Sequence, residues 1–246
     1  MSCSSSPIAT YLHVGTSGWS YPHWRDRFYP PELPATQWLA FYSRHFGTVE
    51  LNNSFYRLPS RETFAAWRQQ TPARFVFSIK ASRYITHMKK LKDPAQTLPP
   101  LLAAAKGLAN KLGPLLFQLP PHWRPDTGRL RAFLQALPKG TQASFELRDP
   151  CWHKDPVLEL LAEFNAAFCV YDLRGFTSPR AVTADFVYLR LHGPGEPYCG
   201  RYGTAALSNW AGWLKQQKVR AAYVYFNNDQ AAYAVRDALD LQAILR

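Results

Sequence analysis

The sequence predicts an α/β protein built as a single (β/α)8 TIM-type barrel, regular or irregular, and three observations lead there. Short apolar runs, each ending in polar or charged side chains, recur along the chain: LHVGTSG, TVELNN, FVFSIK, LLFQLP, ASFELR, FCVYD, VYLRLHG and YVYFNND. Segments with helical spacing of apolar residues separate them. The repeat averages roughly thirty residues, the length of a βα unit, and such units fill the ~250 residues usual for this barrel.

Taken in order, the first run follows MSCSSSPIAT, which has neither a basic segment nor an apolar stretch. Residues 1–11 are therefore expected to be a disordered lead and 12–246 the barrel domain of a cytoplasmic protein. Trp38, Phe41, Tyr42 and His45 mark a helix before the second run, and Phe64 and Trp67 another before the third. Further helical sets are Leu98, Leu101, Leu102, Ala105 and Leu108; Leu130, Phe133, Leu134 and Leu137; Val157, Leu160, Leu161 and Phe164; and Leu207, Trp210, Trp213 and Leu214. Pro94 and Pro99–Pro100 are expected to open a helix, Gly113–Pro114 to end it, and Lys139–Gly140 to close the next. An open doubly wound sheet is the competing architecture. No G-x-G-x-x-G follows the first run and no G-x-x-x-x-G-K-[ST] occurs, so there is no nucleotide-cofactor motif.

Composition narrows the partners. Hydrophobic residues make up 47% of 246, enough for a sizeable core, and no run approaches the ~18 apolar residues that cross a bilayer, so no membrane partner is expected. Cys3, Cys151, Cys169 and Cys199 form no C-x-x-C pair, which fits reduced thiols rather than a disulfide frame or structural zinc. Lys and Arg exceed Asp and Glu by 29 to 17, a formal charge of +12 that favours an anionic partner, either a small molecule or nucleic acid. One dense basic stretch runs from Lys80 to Lys92.

Strand parity then names side chains. In a closed sheet, alternate residues fill the barrel, so Val49 and Leu51 face the helices while Glu50 and Asn52 face inwards. Polar ends near the strand C-termini converge on the face where barrel enzymes keep their active sites.

These same segments carry a resemblance. GTSGWSYPHW at 15–24, FYP at 28–30, TVELNNSFYRLPS at 48–60, FSIKASRYITH at 77–87, FELRDPCW at 145–152, YLRLHG at 188–193 and YFNND at 225–229 resemble the YecE-like family, domain of unknown function 72. The likeness extends from about His13 to near the C-terminus. It implies a β/α barrel and no established reaction. One departure is that Ala231 and Ala232 follow Asp229 and Gln230 where the family often has glycines, which weakens the case for a backbone-cradled ligand there.

Glu50, Lys80, Glu146, Asp172 and His192 are the candidate catalytic groups. Carboxylates and an imidazole from several strand ends suit proton transfer or a divalent metal; Glu50 paired with Lys80 or Arg148 as a buried ion pair is the structural alternative. Lys80, if desolvated, is a base, a Schiff-base nucleophile or a fixed cation. Arg148 and Arg190 suit bidentate clamping of an oxyanion. Asn52, Gln118 and Asn227 suit hydroxyls and carbonyls, and Asp229 another polar group. Trp19, Tyr56, Trp152 and Tyr202 are stacking candidates from the loops, against the alternative of core packing. Arg201 adds charge to a glycine-rich loop after the seventh run, where barrels often bind phosphate.

Three functions follow. The first is an enzyme, hydrolase, isomerase or lyase, acting on a phosphate-bearing substrate at the C-terminal mouth. The second is a nucleic-acid-binding barrel with or without phosphodiester cleavage. The third is a non-catalytic ligand sensor. Serine catalysis lacks its G-x-S-x-G, and Cys151 beside His153 is mere chain adjacency.

Overall fold

The structure, a computed structural model, describes residues 11–246. Of the lead expected over residues 1–11, residues 1–10 lie outside the described residues, and Tyr11 already belongs to the first strand. Helices surround a nearly closed, mostly parallel barrel of eight strands. Its strands are β1 (Tyr11–Thr16), β2 (Thr48–Leu51), β3 (Val76–Lys80), β4 (Leu112–Leu119), β5 (Ala143–Leu147), β6 (Ala167–Leu173), β8 (Phe186–Leu191) and β9 (Ala221–Phe226). A two-residue strand, β7 (Phe176–Thr177), folds back antiparallel on β6 outside the ring. Each expected run thus contributes one barrel strand.

The ring follows the order β1-β9-β8-β6-β5-β4-β3-β2. Two seams are thin. Between β5 and β6 the register holds only at Ser144↔Ala167 and Phe145↔Phe168. Between β1 and β2 a single parallel bridge, Ser17↔Glu50, closes the circle. Gly15 permits that approach, because a Cβ there would stand 2.3 Å from the Thr48 carbonyl oxygen.

The main helices are α1 (Trp38–His45), the short α2 (Asn53–Tyr56), α3 (Arg61–Gln69), α4 (Pro94–Ala105), α5 (Thr127–Ala136), α6 (Asp155–Glu163), α7 (Thr204–Gln216) and α8 (Tyr233–Leu245). Local chemistry sets their ends. Ser60 accepts the Thr63 N–H at the start of α3, and Asp126 accepts that of Arg129 at the start of α5. Lys111, almost fully buried, donates to the Arg68 and Thr71 carbonyls at 2.6 and 2.7 Å and so satisfies the C-terminal end of α3.

Two boundary expectations are corrected. Pro94 does open α4, but Pro99 and Pro100 lie inside it. Buried Leu98 and Leu101 hold that helix against the core, so packing outweighs the two backbone bonds the prolines remove. Gly113 and Pro114 do not precede the fourth strand but form part of it, where the register against β3 shifts between Phe77 and Ile79.

The barrel interior is plugged at its N-terminal end. His13 stacks on Tyr223 with ring centroids 4.8 Å apart, and Phe186, Tyr188 and Tyr225 fill the next space. The Tyr225 hydroxyl bonds to Thr48 Oγ1 and Ser78 Oγ, both at 2.7 Å. Among the described residues, these side chains close the barrel interior towards the N-terminal end of the strands.

Candidate functional site

Above the tyrosines, Arg190 of β8 reaches across the barrel. Its Nη2 donates to Glu50 Oε1 of β2 at 2.7 Å and its Nη1 to Glu146 Oε2 of β5. Glu50 also accepts from Ser17 Oγ and the Tyr188 hydroxyl, each at 2.7 Å. Glu146 takes the Arg148 Nε at 2.5 Å, and His192 Nε2 stands 3.7 Å from its Oε2. Glu50, Glu146, Arg190 and His192 have no solvent exposure.

Enclosure at this level decides protonation. Burial pushes both glutamates up, yet the guanidiniums outweigh it: Arg190 with the Tyr188 and Ser17 hydroxyls holds Glu50 below its usual range, and Arg148 with Arg190 holds Glu146 well below. Both carboxylates are anions with their lone pairs engaged. Burial, then Arg190, pushes His192 down to about 4, so its imidazole is neutral. Asn227 Nδ2 lies 3.1 Å from His192 Nδ1, and Arg190 Nη1 lies 3.5 Å from His192 Nε2.

Lys80, at the end of β3, behaves differently. Burial, then Arg190, lowers it to about 7, while Glu146 and Glu50 pull only partly the other way. Its Nζ sits 4.3 Å from the Phe55 ring centroid, and among the described residues it has no carboxylate partner. The expected pairing of Glu50 with Lys80 or Arg148 is replaced by Glu50 with Arg190, because β8 rather than β3 or β5 points a guanidinium across the centre.

Lys80 lines a cavity of about 590 Å³ at the mouth, with Asn52, Tyr56, Tyr198, Asn227 and Asp229. Asp229 is held by Trp24 Nε1 at 2.7 Å, and His23 Nε2 lies 2.9 Å from both its carbonyl and its Oδ2, so the ring serves one at a time. Burial raises Asp229 to about 6 against those two contacts. A neighbouring recess of about 290 Å³, bordered by Arg148, Tyr171 and Arg174, opens where β5 and β6 diverge and shares Tyr198 with the mouth. There the Leu147 carbonyl accepts the Tyr171 hydroxyl at 3.2 Å instead of a strand partner.

The structure thus brings together Glu50, Lys80, Glu146, Arg148, Arg190, His192, Asn52, Tyr56, Asn227 and Asp229. Gln118, paired in register with Glu146, lies on the same inner face. Trp19 lines a cavity next to the mouth. Four expected residues stand apart. Asp172 has the outward parity of β6, where Cys169 and Tyr171 face in, and its carboxylate meets the Tyr202 hydroxyl. Tyr202 is 2% exposed and also takes the Gly193 N–H at 3.0 Å. Trp152 is buried with its indole N–H on the Trp123 carbonyl. Arg201 turns to Asp237 and Asp240 of α8 and so anchors its loop. Sequence reasoning missed Ser17, Tyr21, Trp24 and Phe55. The motif around 15–24 contained three of them, but the Ser17–Glu50 and Trp24–Asp229 bonds span 33 and 205 residues of chain. Among the described residues, no group of three or more His, Cys, Asp or Glu is placed to hold a metal ion. Cys151, Cys169 and Cys199 are free thiols.

Fold and site together define a β/α barrel with a charge-balanced centre beneath an open mouth. The chain belongs to the family described as "Protein of unknown function DUF72", which it matches over residues 13–246. It is similar to the UPF0759 protein YunF of Bacillus subtilis, at 26% identity over 95% of this chain and 94% of that one. It also resembles the UPF0759 protein YecE of Escherichia coli, 32% identical over 140 residues that span 56% of this chain and 49% of that one. Among solved structures, a DUF72 family protein from Thermotoga maritima shares the fold with a TM-score of 0.87 at 27% identity, over 96% and 99% of the two chains. One from Enterococcus faecalis gives 0.76 at 19% identity, over 96% and 98%.

Proposed function

We propose that this protein is an enzyme acting on a small anionic substrate, phosphate-bearing in the first instance, at the C-terminal mouth of the barrel. Lys80 carries the reading. An amine at about 7, without an ion-pair partner among the described residues and on the wall of a cavity of about 590 Å³, is poised either to bind an anion or to react. Asp229, at about 6 on the same cavity, supplies a second group that changes charge near neutral pH. Glu50 and Glu146 are fully engaged by guanidiniums, so their part is to fix Arg190 and shape the field at Lys80 rather than to accept protons.

Calorimetry with inorganic phosphate and phosphorylated metabolites, from about pH 5.5 to about pH 8.5, tests this. Affinity is expected to fall as pH rises through about 7, where Lys80 loses its charge. Lys80→Ala should weaken binding at least about tenfold and Lys80→Arg should restore it. A flat profile with an unaffected alanine variant would overturn the reading.

A second reading, nucleic-acid binding, rests on Tyr56, Tyr84 and Tyr198, which are 82, 47 and 42% exposed, Tyr84 in the basic loop after β3 and the other two on the cavity that Lys80 lines. Such rings stack on bases when cations lie beside them. Oligonucleotide affinity must then drop steeply with salt. Absence of binding at low salt rules it out.

A further inference from the structure

A second cavity, of about 570 Å³, lies against the mouth and shares Tyr21, Asn52 and Tyr56 with it. Its walls differ in kind. Trp19 and Trp67 meet edge to face at 5.0 Å, and Leu39 closes the floor, with Thr36 and Gln70 at the rim. The mouth offers Lys80 and Asp229; this cavity offers aromatic faces and neutral polar groups.

The partition between them is built. Tyr21 folds back so that its hydroxyl donates to the Ser17 carbonyl at 2.6 Å. Gly18 makes room: its φ is +97°, and a Cβ there would stand 2.6 Å from that hydroxyl. Tyr56 stands on the shared rim at 82% exposure, and Asn52, on the shared wall, has a buried Oδ1 with no hydrogen-bond partner among the described residues. An exposed ring and an unpaired buried amide oxygen are both unfavourable in isolation, and a ligand carrying a flat apolar group with an N–H or O–H can relieve both.

We propose that this cavity is a second subsite holding an aromatic or heteroaromatic ring of the same small molecule whose anionic group is held at the mouth. The inference rests on the reading of the mouth given above and adds the class of substrate: an aryl compound bearing a phosphate or a similar anion. The ring lies in the cavity against the Trp19–Trp67 pair, with Tyr56 at the shared rim, and Asn52 accepts its donor by turning the side-chain amide. No bond is made or broken in the subsite; it supplies orientation and apolar burial.

Phenyl phosphate, inorganic phosphate and phenol, each titrated by calorimetry, separate the two parts. Phenyl phosphate should bind at least about tenfold more tightly than inorganic phosphate. Ala35→Trp, placed at the exposed rim of the second cavity and away from the mouth lining, should remove that advantage and leave inorganic phosphate unchanged. Gln70→Trp fills the same space from another side and guards against misfolding of the first variant. Equal affinity for the two phosphates in the parent protein overturns this subsite and leaves the mouth intact. Phenol binding that the tryptophan variants abolish, with no phosphate binding at all, overturns the mouth and leaves an aromatic site. Failure of all three probes overturns both.

Discussion

Lys80 illustrates how one side chain records competing demands. Its folded value of about 7 lies below the ordinary 10.5, so between these limits the unfolded chain binds more protons and stability rises with pH. Below about 7 the folded protein bears the full penalty of a half-buried ammonium with no ion-pair partner among the described residues. Lys80→Met is therefore expected to raise the melting temperature most at acidic to neutral pH, with the gain fading towards pH 10.5; thermal scans at several pH values check this. His192 runs in the other half of the scale. Its value of about 4 against the ordinary 6.5 means that stability falls as pH drops through that window, and His192→Asn should flatten the fall in the same scans. Glu146→Gln leaves two guanidiniums facing a neutral amide and should lower unfolding free energy by about 3–5 kcal/mol in urea titrations. Residue by residue, the strand alternation was legible wherever a strand ended near its polar group: Glu50, Ser78, Glu146, Arg190 and Asn227 all face inwards. It misled at Asp172, because β6 continues to Leu173 and Tyr171 takes the inward position.

At the level of elements, the apolar spacing located the strands and main helices, since burial of one face dominates their energetics. Turn residues were less faithful guides. Gly113–Pro114 looks like a helix terminator, yet the strand absorbs it through a shift in register against β3. Long-range bonds such as Trp24 with Asp229 have no local signature at all. The β1–β2 closure depends on the same kind of unseen approach. Gly15→Ala would drive a methyl group into the Thr48 carbonyl and should cost about 1–3 kcal/mol in chemical denaturation, although alanine is otherwise a mild replacement.

For the whole molecule, barrel architecture was readable because its repeat is regular, whereas the unequal strength of its seams was not. Pairing is extensive along β2 to β5, and again from β6 through β8 and β9 to β1. It thins at the two junctions. Among the described residues, no helix is long and apolar enough to cross a membrane. The formal charge of +12 acts at this scale too: if it serves nucleic acid, affinity should decline over many phosphates at once, whereas a single anion at Lys80 gives a shallow salt response.

Arg190 stands on one of those two four-stranded shells, and both glutamates it grips belong to the other, on β2 and β5, the very strands that border the junctions. One guanidinium is thereby a clasp across both edges of a clamshell. Without that guanidinium each edge would rest on its few backbone bonds alone. Arg190→Leu should speed amide hydrogen exchange at Ser17 and around Leu147 well before it does so in the interior of either shell.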